Sequence, residues 1–496
     1  MKKTAYLLSV LAVLCIGCSK AGSGSSAGKS ADKGYDLYVF NAKGENAAQF
    51  EAMAQAFQGE TGIRVKTFSI GAGADQSAPM LAEMNSKNPP AIYSIQGINN
   101  LAQWLEGGYV VDLSTAPDPD FAKLVADIAP NLRMSLGGNT SYGIPYNIEG
   151  YGFIADRQML ADIFGVPNPD EIIADIKTAS YPEWEAFVTA LDAWIQNPQS
   201  AAVTLSGKSH ALAGAKQGLA ANLTGVGVIM GSETWTYGGH YVNVALNAVF
   251  PSQSDALNPT PDQLRNLRNP LIGYAKGLEL KTRYLAGKNG KAQRGQDLVS
   301  PANFGYDQAV QIFAEGKAVF LKQGNWAYNN IANVNKAMAE RLTFLPIKMP
   351  FTQSDIVSGL TAEKINRSIP IFVPNYYAVN ALSSEEEKQA AYKFLVWMNT
   401  SKTGQKFIIE DMAFIPYNAD PASTVVPNSL GNSIIAYMKD GDMLNGLFLA
   451  VPGTWPSDTL GKFVMERYLT KPEWSEADFA VIADYGVDQW LQLLKQ

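Results

Sequence analysis

The sequence predicts an α/β protein of two lobes around a central ligand cleft, with the chain crossing between the lobes more than once. Three observations carry that prediction. Strands alternate with helices from Tyr35 to about Glu106. The middle, from about Asp156 to Tyr328, is richer in helical patterns, glycine and polar loops. A strand–helix unit then returns after Pro374. Alternation of this kind builds βαβ units and a parallel sheet with helices on both faces. Its late return adds a distant stretch of chain to the first lobe. Clefts at such crossings are where small molecules bind, and hinge closure around a ligand is a known motion of two-lobe folds.

The N-terminus comes first. Lys2 and Lys3 precede an apolar run, Tyr6 to Ile16, that is too short for the roughly 20 residues of a membrane-spanning helix. A charged start, a short apolar middle and a small residue at the end form a secretory signal pattern. Residues 1–17 are therefore expected to be a signal peptide. Cys15-Ile16-Gly17-Cys18 resembles a bacterial lipobox, with Cys15 where Leu is usual, and the resemblance makes Cys18 the acylated first residue of the mature chain. Plain signal cleavage without lipidation is the alternative. Residues 18–34 are almost entirely Ser, Gly, Ala, Lys and Asp and read as a flexible tether reaching about 22 Å. Several acyl chains would anchor it stably where one is marginal.

The folded part opens with a strand at Tyr35 to Asn41. A helix comes next, in which Phe50, Met53, Ala54 and Phe57 form one apolar stripe, with Gly59 and Gly62 stopping it. A strand at Ile63 to Ile70, a helix around Met80 to Ser86, a strand at Ala91 to Gln96 and a helix to about Glu106 complete the first unit. Gly214 to Gly231 and the basic stretch Lys288 to Arg294 read as turns or surface loops. After Pro374 come a strand at Tyr376 to Asn380 and a helix from Ser384 to Asn399. Ser384 and Glu387 form its capping box, and Ala391, Phe394, Leu395 and Met398 its stripe.

Composition bounds the chemistry. The 496 residues carry a net charge of −7, which argues against a nucleic-acid or anionic-membrane binder. Cys15 and Cys18 are the only cysteines, so neither disulfides nor a thiolate site is expected. His210 and His240 are the only histidines, too few for a His-rich metal site, and each reads as a surface or hydrogen-bonded structural residue. No catalytic residue, cofactor or metal is expected. Nine Trp and 22 Tyr offer flat faces for a ligand.

Four segments resemble, in order, the extracellular solute-binding proteins of ABC importers, in the carbohydrate-binding group (family 1) that includes maltose-binding protein. They are VFNAKGENAAQFEAMAQAFQGETGIRVKT (Val39 to Thr67), YGIPYNIEGYGFIADRQML (Tyr142 to Leu160), FAEGKAVFLKQGNWAYNNI (Phe313 to Ile331) and SSEEEKQAAYKFLVWMNTSKTGQKFI (Ser383 to Ile409), with IPYN close behind. The similarity spans roughly 35 to 496 and is vague between about 165 and 305. It implies a periplasmic-binding-protein-like fold. The lobes are expected at 35–148 plus 376–418 and at 149–375 plus 419–496. The second segment departs from the family pattern, with Ala155-Asp156 where the family has Tyr-Asn.

The candidate ligand residues combine both kinds of reading. Trp326 comes after a buried strand and the turn Gly324-Asn325, where the family presents a Trp face to a sugar ring. A pyranose packs its C–H face on an aromatic and needs directional partners for its hydroxyls. Tyr146 and Glu149 sit where the family's chain crosses between lobes, and a carboxylate there accepts from two hydroxyls. Asn41, Lys43 and Glu45 lie just past the first strand and Gln96 and Asn99 at the end of the third, at the strand ends where α/β ligands sit. Trp455, in VPGTWPSDT, resembles the family's late aromatic loop, and Trp235 lies in GSETWTYGGHY.

The expected function is capture of a disaccharide or short oligosaccharide by lobe closure and delivery to an ABC permease, by a monomer held to the membrane through its lipid. Two alternatives stay open: the same fold binding a non-sugar solute or sensing a ligand, and an exported glycan-active enzyme using paired carboxylates.

Overall fold

The computed structural model describes residues 33–71, 76–129, 132–136 and 139–495. Cys18, the signal peptide and most of the tether lie outside the described residues. Two sheets form the two lobes. In the first, the strand order is Val65–Ser69, Leu37–Asn41, Ile92–Gln96, Asn375–Val379, Ile144–Pro145. Leu37–Asn41 is buried along its whole length, because apolar layers cover both sides. Side chains alternate across a strand, so Leu37 and Val39 join one cluster with Phe50, Met53 and Phe57, while Phe40 joins another with Met80 and Trp104.

The helix Ala47–Thr61 buries Phe50, Met53, Ala54 and Phe57, the predicted stripe, and ends at Gly62 in the left-handed conformation. The helix Glu385–Thr400 carries the Ser384–Glu387 capping box and buries Ala391, Phe394, Leu395 and Met398. This first sheet is mixed rather than parallel. Leu37–Asn41 pairs in parallel with its neighbours, but Asn375–Val379 runs antiparallel to Ile92–Gln96. The chain reaches Asn375 only two residues after a strand of the other lobe, so it enters from the cleft end and must run back against strands that finish there.

The second sheet has the order Gly290–Ala292, Leu285–Gly287, Gly225–Val228, Ala318–Gly324, Glu149–Asp156, Ile369–Phe372, Met443–Leu444, with Leu342–Leu345 also pairing to Glu149–Asp156. All eight residues of Glu149–Asp156 are buried. Its first half pairs with Ile371 and Phe372 and its second half with Leu342–Leu345. Chain crossings join the lobes between Pro145 and Glu149 and between Phe372 and Asn375. A third comes after Tyr417, the last residue of that stretch in a first-lobe cluster, and the bridge Ile148 to Ile415 ties it to the first crossing.

Two expected loops are not loops. Within Gly214 to Gly231, Gly225–Val228 is a strand inside the second sheet. A Cβ on Gly225 would lie 2.3 Å from the Ala286 amide nitrogen, so glycine is what lets these strands meet. Gly290–Ala292 is an edge strand, and the Arg294 guanidinium is buried against Glu279 at 3.1 Å. The charges expected on a surface loop are thus partly internal.

Gly225→Ala should destabilise the protein by about 1–3 kcal/mol, because the clash is with backbone. Gly227→Ala, whose added Cβ finds nothing nearer than 3.7 Å, should be tolerated. Denaturant unfolding of both variants checks this, and equal stabilities would show that the strands separate freely.

Candidate functional site

A cavity of about 560 Å³ lies between the lobes. Lys43, Glu45, Gln96, Asn99, Glu149, Trp235 and Trp326 line it. Four of these lie past the carboxyl ends of first-lobe strands or end one of them; Glu149 opens the central strand of the other lobe. The lobes also touch at the rim. Asn99 Nδ2 donates to the Val451 carbonyl at 2.9 Å, and Asn329 Nδ2 donates to Asn46 Oδ1 at 3.2 Å.

The polar wall centres on Lys43, whose ammonium pairs with Glu149 Oε1 across the lobes. Glu45 Oε1 is farther from it, at 3.8 Å, and Asn147 Nδ2 donates to Glu149 Oε1 at 3.2 Å. Burial works to lower the Lys43 pKa, but the attraction of Glu149 and Glu45 overcomes it and the net shift is upward. Burial raises the Glu45 pKa, Lys43 pulls it down, Glu149 pushes it up again, and the net shift is upward. Among the described residues no group of three or more His, Cys, Asp or Glu side chains is arranged to hold a metal. Here an ammonium occupies the place between the carboxylates.

The aromatic wall comes from the second lobe. Trp326 sits in a short helical turn after Ala318–Gly324, and its indole folds back over Gly324, where a Cβ would meet the ring at 2.1 Å. His240 lies 5.3 Å from Trp326, 5.1 Å from Trp235 and 4.9 Å from Phe448 between ring centroids, and stacks on Tyr151 at 4.3 Å. Trp235 and His240 are presented by a π-helical turn, Thr236–Tyr241. A second such turn, Trp455–Gly461, packs against it so closely that a Cβ on Gly238 would lie 2.3 Å from the Pro456 carbonyl. Single turns of π-helix are frequent at functional sites.

Three expected residues do not line the cavity. Asn41 is fully buried and clamps the loop instead: its Oδ1 accepts from the Lys43 amide at 2.9 Å, and its Nδ2 donates to the Lys43 carbonyl at 3.1 Å and to Ser69 at 3.0 Å. Side-chain amides commonly close turns two residues on. Tyr146 stacks on Tyr377 inside the first lobe, with centroids 3.4 Å apart. Trp455 is fully buried, donates through Nε1 to the Gly486 carbonyl at 2.8 Å and packs on Trp490. Its neighbours Thr454, Pro456 and Asp458 face the cavity in its place.

His240 is the chief wall residue that sequence reasoning missed. His210 does pair with Asp175 at 2.9 Å, as a structural residue should. His240 is only 7% exposed, and its Nδ1 has no hydrogen-bond partner. The one sequence signal for it is the aromatic run WTYGGHY. Tyr306, Phe372 and Phe448 also line the cavity, from segments without a motif.

Burial, with Lys322 acting in the same direction, holds the His240 imidazole well below the usual histidine range. The unfolded chain therefore takes up this proton first as pH falls through about 6.5. Stability should then drop by up to about 1.4 kcal/mol per pH unit. His240→Gln removes that contribution, so its unfolding free energy should fall less steeply than the wild type's between about pH 7 and 5. Equal slopes would mean that His240 is protonated as readily folded as unfolded.

The geometry can be set beside known proteins. No curated protein sequence matches the chain significantly. Among solved structures, a chitin oligosaccharide binding protein is 16% identical, with a TM-score of 0.61, over 92% of this chain and 100% of that one. The GacH receptor of Streptomyces glaucescens GLA.O, solved unliganded and with acarbose, is 15% identical with a TM-score of 0.59, over 93% and 98%. The maltose/maltodextrin-binding domain from Bdellovibrio bacteriovorus, bound to maltotriose, is 14% identical with a TM-score of 0.53, over 93% and 100%. At these identities the likeness is one of fold. The profile described as bacterial extracellular solute-binding protein matches residues 52–430, most of the chain, and the chain belongs to that family.

Proposed function

We propose that this protein captures a disaccharide or short oligosaccharide between its lobes and delivers it to an ABC permease. The observation that carries the reading is the pairing of walls across one cavity. Trp326, Trp235 and Phe448 offer flat apolar faces, and Lys43, Glu45, Gln96, Asn99 and Glu149 offer directional polar groups. A pyranose needs both, because its C–H face sheds water against a ring while its hydroxyls keep hydrogen bonds. The saccharide complexes among proteins of like fold support the same class of ligand. Selection of the closed arrangement requires the ligand to favour it over the open one.

Delivery would be aided by an anchor at Cys18, in the lipobox-like sequence ahead of the Ser/Gly-rich tether. Such a link would hold a loaded protein at a typical distance of about 22 Å from the bilayer.

Calorimetric titration with a panel of mono-, di- and oligosaccharides should give saturable binding to at least one. No heat and no thermal shift with any carbohydrate would overturn the saccharide reading. Trp326→Ala should weaken that binding about tenfold or more through lost ring contact, and an unchanged affinity would remove Trp326 from the site. Cys18→Ala should bind sugar normally yet fractionate away from membranes. Continued membrane association after signal cleavage would exclude the lipid anchor.

A further inference from the structure

We infer that the cleft selects a saccharide bearing a protonated amine, a cationic amino sugar, over its neutral counterparts. The inference rests on the saccharide reading and specifies the charge of the ligand. Among the described residues, three carboxylates, Glu45, Glu149 and Asp458, line the cavity against one ammonium, that of Lys43. His240 adds no positive charge at neutral pH, since burial disfavours its protonated form. Lys322 stands outside the cavity and donates to the Thr236 carbonyl at 3.0 Å.

The one ammonium is already committed. Lys43 pairs directly with Glu149 and stands 3.8 Å from Glu45. The Glu45 side chain is only 14% exposed, and burial raises its pKa even against the pull of Lys43. A buried carboxylate without a full partner is costly, and a cation brought by the ligand would offset that cost.

A second, independent feature points the same way. Gln76 lines the cavity, is 6% exposed, and its Oε1 accepts no hydrogen bond, while its Nε2 is used on Asn375 at 3.2 Å. Asn99 repeats the pattern, with Oδ1 unpartnered and Nδ2 committed to Val451. The polar wall thus holds two acceptor oxygens without a donor, Gln76 Oε1 and Asn99 Oδ1. A hydroxyl brings one donor, whereas an ammonium brings three and no acceptor. The rings of Trp235 and Trp326, which both line the cavity, attract a cation as well.

The test compares oligosaccharides that share a backbone and differ at one substituent. Glucose, glucosamine and N-acetylglucosamine di- and trisaccharides, in α- and β-1,4 linkage, are titrated by calorimetry at neutral pH. The glucosamine oligomer of the accepted linkage should bind about tenfold or more tighter than its neutral counterparts. Glu45→Gln should bring that ratio towards one. The substitution keeps the size and shape of the side chain while removing its charge, and a cooperative melt confirms folding. Equal or tighter binding of the neutral oligomers, or a ratio unaltered in Glu45→Gln, overturns the amine inference and leaves the saccharide reading standing. Binding of spermidine with no saccharide bound overturns both, and so does silence across the whole panel.

Discussion

The cleft is organised about one buried ion pair, Lys43 with Glu149. Its members come from opposite lobes, one just past the first strand and the other at the start of the strand that the second sheet is built around. Withdrawing two charges from water costs several kcal/mol per ion, so such a pair is a weak source of net stability. Losing one member is another matter, because the remaining charge is stranded at a cost of about 3–5 kcal/mol. The pair therefore acts as a constraint on how the lobes meet. Asn41 fixes the Lys43 backbone, and Asn147 donates to Glu149, so neither charge is free to find another partner. Glu45 is the charge this arrangement leaves over, and it sets the character of the polar wall.

Topology explains why the two walls differ in chemistry. The first lobe meets the cleft with the carboxyl ends of Leu37–Asn41 and Ile92–Gln96, which lead to the polar side chains of Lys43, Glu45 and Asn99. The second lobe meets it with the start of its central strand and with two π-helical turns. Those turns lie against each other through Gly238 and Gly461, with no side chain between them. Close approach at that seam brings Trp235 and His240 to one side and Pro456 and Asp458 to another of the same cavity.

The regular parts of the fold were legible in the sequence because they rest on local periodicity. The stripe of Ala47–Thr61 is what the sequence spacing predicts, residue for residue, and Glu385–Thr400 buries its four predicted residues with Ala390 and Tyr392 beside them. The direction of Asn375–Val379 was not legible, since it depends on where the chain comes from rather than on its own residues. Gly225–Val228 reads as a turn in sequence because Gly225 satisfies a non-local requirement, room for the backbone of Leu285 and Ala286. At the cleft, sequence reasoning finds the loops but not always the residue within them that faces inward. His240 escapes because a lone histidine carries no pattern, and apart from Trp235 the rings around it, Tyr151, Trp326 and Phe448, lie 86 or more residues away in the chain.

The three candidates that do not line the cavity share a logic. Asn41, Tyr146 and Trp455 are each anchors, and each stands within three residues of a side chain that lines the cavity: Lys43, Glu149 and Asp458. An anchor must be buried and packed, as Trp455 is against Trp490 and Tyr146 is against Tyr377. A wall residue must be held by its neighbours while its own functional atoms stay available. A loop that positions a ligand group therefore needs both kinds close together, and sequence reasoning tends to select the larger or more conspicuous of the two. The separation also has a functional consequence. Wall positions such as Glu45 and Asp458 can change charge without disturbing the anchors, so ligand preference can shift while the fold and the meeting of the lobes stay the same.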